Sequence, residues 1–373
     1  MGRVDFPFGR FPTLPVCPPG VTQLSQCDIQ IQYPSDPLER VIDLGISAPR
    51  LWPLTDALKA GIDLIHQRLL QPSYTLTKYS AQLSTALTQR RPFTASLAYE
   101  FGFQEFSSGQ LSVEQVLAGI DPRIGRLPPG QMTFGSLRPQ VMVDLRDDPA
   151  RPRAGFLVEF DGDFLHSFSG TASDNSDGVT HLHVNLFRAE GQLAFYLPLP
   201  LLSSIVFSAR GGRVFQLDSA SQTPGDRRFY LGGATSLRGF HEDQVQPQDL
   251  VNQLHNEVNA CAFTISNSAC SVEAQLLSAG ATSAGGDEFV AFTVELRVPI
   301  ARTFEVAAFY DGGNLWADPT AIARNFVLRS AVGGGLRWLT PIGRMAIDIG
   351  VNLQPDALLG EPQFGPYFSI DPL

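Results

Sequence analysis

The sequence predicts an all-β fold, an antiparallel transmembrane β-barrel that carries one long inserted loop. Three observations predict it. Apolar and polar residues alternate with a two-residue period over most of the chain, the pattern of strands with one apolar and one polar face. The connections between alternating segments are short and long in turn. Aromatics are abundant, with 26 Phe and 8 Tyr, yet the mean hydropathy is +0.00; a barrel whose residues face lipid and lumen by turns averages to neutrality in this way.

The alternation is plainest towards the C-terminus. In 292–298, Phe292, Val294, Leu296 and Val298 share one face, and Thr293, Glu295 and Arg297 the other. In 345–353, Asp348 and Asn352 lie opposite Met345, Ile347, Ile349, Val351 and Leu353. Neither reads as a helix, which would bring apolar residues together every three or four positions. The same period runs near 39–50, 57–70, 74–89, 93–106, 132–146, 154–167, 180–197, 202–217, 303–316, 326–340 and 364–371. That makes about thirteen strands, with Ile29-Gln30-Ile31-Gln32-Tyr33 a candidate fourteenth, most of them longer than the usual globular strand.

The connections around 51–56, 89–92, 147–153, 197–201, 300–303 and 340–343 are short; those around 107–131, 168–179, 218–286, 317–325 and 355–363 are long. Tight turns therefore gather at one end of the sheet and large loops at the other. An outer-membrane barrel has short periplasmic turns and long extracellular loops, whereas a soluble sandwich has no reason to sort its loops by length. The segment 218–286 is too long for an ordinary connection and is expected to be functional. Its later part, 244–286, is rich in Gln, Asn, Ser, Ala and Gly and is expected at the cell surface.

Composition narrows the function. With 27 Lys and Arg against 37 Asp and Glu, a formal charge of −10 and no basic run, nucleic acid is excluded as a partner. No apolar run is long enough for a spanning helix, and Met1-Gly2-Arg3-Val4-Asp5 is not followed by the apolar core of an export signal. The four cysteines fall into two local pairs, Cys17 with Cys27 and Cys261 with Cys270. Neither has zinc-site spacing, and two loop disulfides in an oxidising compartment are favoured over free thiols. His166, His181 and His183 cluster without an acidic or cysteine partner at ligand spacing, so no metal is expected; no nucleophile elbow or phosphate-binding glycine loop points to an enzyme or a cofactor.

Four motifs remain. The first is Arg228-Phe229-Tyr230-Leu231-Gly232-Gly233-Ala234-Thr235-Ser236-Leu237-Arg238-Gly239-Phe240. The second is the turn from Asp144 to Gly155, with Arg146, Asp147, Pro149 and Pro152 at fixed offsets. The third is Ala308-Phe309-Tyr310-Asp311-Gly312-Gly313-Asn314-Leu315-Trp316, and the fourth is the glycine-rich stretch from Gly333 to Gly343. Taken in chain order, 144–155, 228–240, 308–316 and 333–343, and at these spacings, they resemble the bacterial surface antigen superfamily of outer-membrane barrels, which includes the BamA and TamA assembly insertases and the two-partner secretion transporters. The resemblance covers about two-thirds of the chain strongly, the rest by strand pattern.

The resemblance implies a barrel of about sixteen strands, even-numbered as bacterial barrels are, integral to the outer membrane of a Gram-negative-type bacterium. Taken by itself, Arg238 reads as a solvated loop arginine. The resemblance implies instead that Leu237-Arg238-Gly239-Phe240 folds into the barrel and that Arg238 pairs with Glu295 and Asp311 on the lumen face, since a buried guanidinium needs carboxylate partners. Gly232, Gly233 and Gly239 supply positive φ or close backbone approach at such a tip. For Asp144, Arg146 and Asp147 two readings stay open, a lumenal charge ladder and a solvated turn; Pro149 and Pro152 suit a turn that must not extend the ladder.

Residues 1–38 form a Pro-rich amino-terminal segment, either first strands or a linker, and 39–373 the barrel. Members carry periplasmic POTRA modules ahead of the barrel, and this sequence has no room for one. The expectation is a barrel fragment, or a variant whose periplasmic domains are reduced or supplied by another protein. The implied function is assembly and insertion of outer-membrane proteins: the first and last strands pair weakly, the seam opens, and a client strand adds to the exposed edge. Gly360, Pro362, Gly365 and Pro366 fit a weakly paired closing strand. The implied partners are outer-membrane lipids, client β-barrel or secreted proteins, and periplasmic or lipoprotein accessory subunits. A two-partner secretion type polypeptide pore keeps the same fold, and a passive porin or structural surface antigen is the third reading.

Overall fold

The computed structural model describes residues 39–49, 58–70, 74–87, 92–108, 130–149, 151–173, 179–263, 283, 285–324, 326–340 and 343–372, with short pieces at 3–5, 14–16 and 28–30. Thirteen long strands follow one another: β1 (Glu39–Ala48), β2 (Leu58–Leu70), β3 (Tyr74–Leu87), β4 (Phe93–Ser108), β5 (Gly130–Asp144), β6 (Gly155–Ser173), β7 (Asn185–Pro198), β8 (Ser204–Gln216), β9 (Glu288–Pro299), β10 (Phe304–Trp316), β11 (Arg329–Thr340), β12 (Gly343–Asn352) and β13 (Phe364–Pro372). Each pairs antiparallel with the next one along the chain, so the sheet is a meander from β1 to β13.

Side-chain parity divides the sheet into two surfaces. On β12, Ala346, Asp348, Gly350 and Asn352 are buried while Ile347, Ile349 and Val351 are exposed. On β6, Phe156, Val158 and Phe160 are exposed on the same outer surface. An apolar outer belt of this extent is unfavourable in water and stable against hydrocarbon. Crossing a bilayer takes about 9–11 tilted residues; β6 with 19 and β4 with 16 exceed that.

Inside, the sheet wraps the long loop. Phe229, Leu231, Leu237, Phe240 and Val245 of the loop form one buried cluster with Leu76, Phe106, Phe134, Leu165, Phe289 and Leu315 from the inner faces of β3, β4, β5, β6, β9 and β10. Burying a large apolar side chain is worth about 1.5–3 kcal/mol, so this cluster is a core in which the loop supplies one side. Gly239 reaches as far as Tyr367 on β13.

The expected strands differ from the observed ones in three places. The stretch 180–197 is not one strand: Val179–His181 folds back on Ala172 and its neighbours, and β7 begins only at Asn185. The cause lies in β6, where pairing to β5 jumps from Phe134↔Ser167 to Thr133↔Ser169, leaving Phe168 as a bulge that bends the strand away. Second, sixteen long strands are not reached among the described residues. Arg3–Asp5 pairs with β1 at Glu39–Val41, and Leu14–Val16 with Asp28–Gln30; of the candidate Ile29–Tyr33 strand only Ile29 and Gln30 lie among the described residues. No pairing joins β1 to β13 among the described residues.

Third, 244–286 does not begin as a surface loop. It opens with α1 (Gln248–Phe263), whose Leu250, Val251 and Leu254 are buried. Apolar residues at positions one and four apart gave it a helical face, hidden among the polar residues that surround it. The carboxylate of Asp249 accepts N–H groups of Ala317 and Asp318 at 2.9 and 2.8 Å, and Asn314 donates to Gln248 at 2.8 Å; these bonds seat the helix on the end of β10. Cys261 lies within α1, while Cys17, Cys27 and Cys270 lie outside the described residues, and with them both expected disulfides.

The two-faced sheet predicts a labelling pattern. Single fluorescent cysteines at Ile347, Ile349 and Val351, with the native cysteines replaced by serine, should be quenched by spin-labelled lipid acyl chains in liposomes. The same label at Ala346 should not.

Candidate functional site

The site is built where the loop tip meets the inner faces of β9, β10 and β12. Parity places Glu295, Asp311 and Asp348 on the lumen side of those strands, 4%, 0% and 4% exposed. Arg238 enters among them. Its Nε and one terminal nitrogen fork onto the two oxygens of Asp311 at 2.7 and 2.8 Å; the other terminal nitrogen donates to Glu295 at 3.0 Å and to Asp348 at 3.1 Å. Its backbone N–H also donates to Asp311, at 3.1 Å. The guanidinium carbon sits 3.4 Å from the Phe309 ring centroid, a cation over an aromatic face.

Two more arginines complete the charge balance. Arg337 on β11 pairs with Glu295 at 2.8 Å and with Asp348, and Arg297 on β9 donates to Glu295 at 2.7 Å. Thr293 donates to Asp311 at 2.9 Å. Three carboxylates thus face three guanidiniums with most lone pairs taken, the condition under which a buried ion cluster is tolerated. Removing one member leaves an uncompensated buried charge, at a cost of about 3–5 kcal/mol.

Around this cluster the backbone is fitted closely. Gly239 has φ +117°, and a Cβ there would lie 2.9 Å from Ala331 Cβ and 3.0 Å from Asn352 N. From the other side, a Cβ on Gly350 would lie 2.7 Å from the backbone of Arg238 and Gly239. The Tyr367 hydroxyl accepts the Gly239 N–H at 2.8 Å and donates to the Phe240 carbonyl at 2.9 Å. Gly232 and Gly233 also have positive φ, +117° and +88°, in the turn that carries the tip. Leu237 and Phe240 flank Arg238 at 0% and 1% exposure, as apolar pegs on either side of the charge.

A second anchor holds the base of the loop against another wall. Arg227 pairs with Asp163 on β6 at 2.8 Å and with Asp226 at 2.7 Å, and Ser136 on β5 donates to Asp163 at 2.6 Å. Arg188 on β7 lies over the Phe229 ring at 4.1 Å. Beneath the loop, towards the short turns, a polar cavity of about 640 Å³ is lined by Asp63, Gln82, Arg138, Asp163, Arg188 and Arg227, among others.

The turn motif Asp144–Gly155 lies at the strand ends away from the clamp. Arg146 forks onto Asp144 at 2.9 and 3.1 Å. Asp147 is exposed, and one of its oxygens accepts the N–H groups of Asp148, Arg153 and Ala154 at 2.9, 2.9 and 3.2 Å. Gly155, at φ +102°, brings the chain against the Leu145 carbonyl. Pro149 is exposed and Pro152 buried. The motif is a self-closed turn, and Arg151 ties it to Glu305 at 2.7 Å. His183 meets Asp218 at 2.9 Å, and no group of three metal-ligating residues occurs among the described residues.

Glu295 and Asp311 are thus brought to Arg238, whereas the turn residues are not. Asp348, Arg337, Arg297, Tyr367 and the Arg227–Asp163 anchor were not singled out from the sequence. Asp348 was already on the polar face of its strand, so parity was the available signal; nothing local marks Arg227, whose partner is far away in the chain.

These features define an outer-membrane barrel whose long loop is clamped in its lumen. The chain belongs to the Omp85 superfamily, whose domain matches residues 26–370, and it is an integral outer-membrane protein of the Gram-negative type. It is 24% identical over 306 residues to the outer membrane protein assembly factor BamA of Neorickettsia risticii, covering 79% of this chain and 34% of that protein. It is 28% identical over 128 residues to the mouse sorting and assembly machinery component 50 homolog, covering 34% of this chain and 24% of that protein. The chain therefore spans about a third or less of the length of the curated relatives it matches. Among solved structures, BamA from Haemophilus ducreyi lacking POTRA domains 1-3 aligns with a TM-score of 0.62 at 14% identity, covering 89% of this chain and 62% of that one.

Close fitting and the Asp147 hub each give a test. Gly350→Ala should push the loop tip off the wall and expose it to added protease, whereas Gly191→Ala, where the nearest atom is 3.9 Å from a Cβ, should not. For Asp147, slight burial acts upward, but the N–H groups of Arg153, Ala154 and Asp148 hold its carboxyl below the usual range. A lowered pKa in the folded state contributes stability at neutral pH that is lost as pH falls below the ordinary Asp range. Amide exchange at Arg153 and Ala154, corrected for intrinsic rate, should accelerate there and not at pH 7.

Proposed function

We propose that this barrel is an insertase for outer-membrane β-barrel proteins, acting by lateral opening of its seam and addition of client strands to the exposed edge. The observation that carries the proposal is a filled lumen together with first and last long strands that do not pair with each other among the described residues. Arg238 and its apolar neighbours hold the loop across the interior, which disfavours an open channel. Meanwhile β13 pairs only with β12, and β1 pairs with β2 and, over three residues, with Arg3–Asp5, among the described residues. An unsatisfied strand edge is a template for β-augmentation.

In β13, Pro366 removes one donor from the ladder, and Gly365 pairs with Gly350, so neither residue contributes a side chain. The closing strand is thereby weakened where the clamp lies. The chemistry is an exchange of backbone hydrogen bonds, with no covalent step and no cofactor. Similarity to an assembly factor supports the reading. Outer-membrane lipids are its medium, client barrels its substrates, and accessory subunits in the periplasm its delivery route. The loop clamp, on this reading, sets the resting conformation of the seam: Arg238 joins β9, β10 and β12, and Tyr367 extends the tie to β13.

A polypeptide-translocating pore is the second reading, favoured by the polar cavity beneath the loop. The two are separated by charge reversal. Arg238→Glu should leave heat-modifiable folding measurable but reduce insertion of a client barrel into liposomes at least about tenfold, a loss of about 1.4 kcal/mol or more in the productive state. Adding Asp311→Arg should restore part of it. If the unaltered barrel inserts no client yet passes an unfolded polypeptide, the pore reading replaces the insertase reading.

A further inference from the structure

The β7–β8 turn contradicts two preferences at once. Ser203 donates to the Pro200 carbonyl and Leu199 to the Ser203 carbonyl, closing a two-residue hairpin turn with Leu201 and Leu202 at its tip. Both leucines are left-handed: Leu201 has φ 59° and ψ 31°, and Leu202 has φ 63°. Tight hairpins use this conformation because it matches strand twist, and they fill it with Asn-Gly or Asp-Gly, since a Cβ crowds the backbone there. Leucine has neither a small side chain nor a polar group to offset that. Both are also exposed, Leu201 at 90% and Leu202 at 64%.

The surroundings say what covers them. On β7 the outward-facing residues Leu193, Phe195 and Leu197 are exposed, and the exposed Leu201 and Leu202 follow at the turn that ends the strand. On neighbouring β9, Leu296 faces out and Ile300, at the following turn, is 61% exposed. The tip is thus the lower margin of the lipid-facing belt. The stretch from Leu197 to Ile205 carries no charge, and exposed Arg302 follows two residues after Ile300, a cation of the kind that anionic lipid attracts.

We propose that Leu201, Leu202 and Ile300 form a wedge seated in the boundary between headgroups and acyl chains of the leaflet at the short-turn end, fixing the depth of the barrel. Apolar tips in that zone gain burial that water does not give, which accounts for leucines where the turn favours Asn-Gly. The occupant is lipid, because the patch is continuous with the lipid-facing surface.

The test uses the full chain in phosphatidylcholine–phosphatidylglycerol liposomes, with the native cysteines replaced by serine and a fluorophore on Leu201→Cys. Heat-modifiability verifies folding of each variant. Quenching by lipid spin-labelled near the headgroup, with little by aqueous iodide, is expected. Iodide quenching without lipid quenching overturns the proposal, and so does quenching by neither, which would mean that protein covers the tip. A second variant, Leu201→Asn with Leu202→Gly, gives the turn its preferred residues. It should fold at least as well in detergent, while a label at Ala301 becomes about twofold more accessible to iodide as the anchor is lost. Unchanged accessibility at 301 would show that the tip does not set depth.

Discussion

A guanidinium withdrawn from water must find carboxylates or leave, and Arg238 finds three. Everything else in the interior follows from that requirement. The carboxylates come from β9, β10 and β12, so the strands must hold a fixed register for the cluster to form, and Arg297 and Arg337 must balance the remaining charge. Because a broken buried pair costs about 3–5 kcal/mol, the loop has one strongly preferred seat. The apolar pegs Leu237 and Phe240 fill the space on either side of the charge, so the inner wall is a core at this level and not a channel.

The same clamp relates the interior to the edge of the sheet. Gly239 and Phe240 are bonded to Tyr367 of β13, and Gly350 of β12 admits the loop only because it lacks a Cβ. The last two strands therefore feel the position of the loop directly. Arg227 fixes the base of the loop to β6, so the loop is held at base and tip, and a movement of its tip is a change in one anchor and not a drift of the whole segment. At the opposite margin, the turns are shaped by their own bonds: Asp147 gathers three N–H groups, and Leu201 and Leu202 accept a left-handed turn.

Much of this was legible in the sequence. The two-residue period gave the long strands and their faces, because lipid outside and a polar wall inside impose opposite demands on successive side chains. Glu295 and Asp311 were identifiable by resemblance and by parity together. Asp348 had the right parity but no motif of its own, and its role depends on β12 lying beside β11, a long-range fact. The helix at Gln248–Phe263 is hard to read from the sequence because Leu250, Val251 and Leu254 are interspersed with Gln, Asn and His. The break before β7 arises from a bulge at Phe168 on the neighbouring strand, which no local pattern in 180–197 encodes. The left-handed turn at Leu201 was invisible because leucine is the last residue that turn chemistry would nominate.

The central claim is that Arg238 and Asp311 are energetically coupled in the folded barrel. The direct measurement is a double-mutant cycle, Arg238→Ala and Asp311→Ala singly and together, on the reversible urea unfolding of the barrel in lipid or detergent. A coupling of about 1.5 kcal/mol or more, with the double variant less destabilised than the sum of the singles, is the predicted result for charge-assisted bidentate bonding. Additive single effects would mean that the guanidinium is not held there in the folded protein, and would contradict the account.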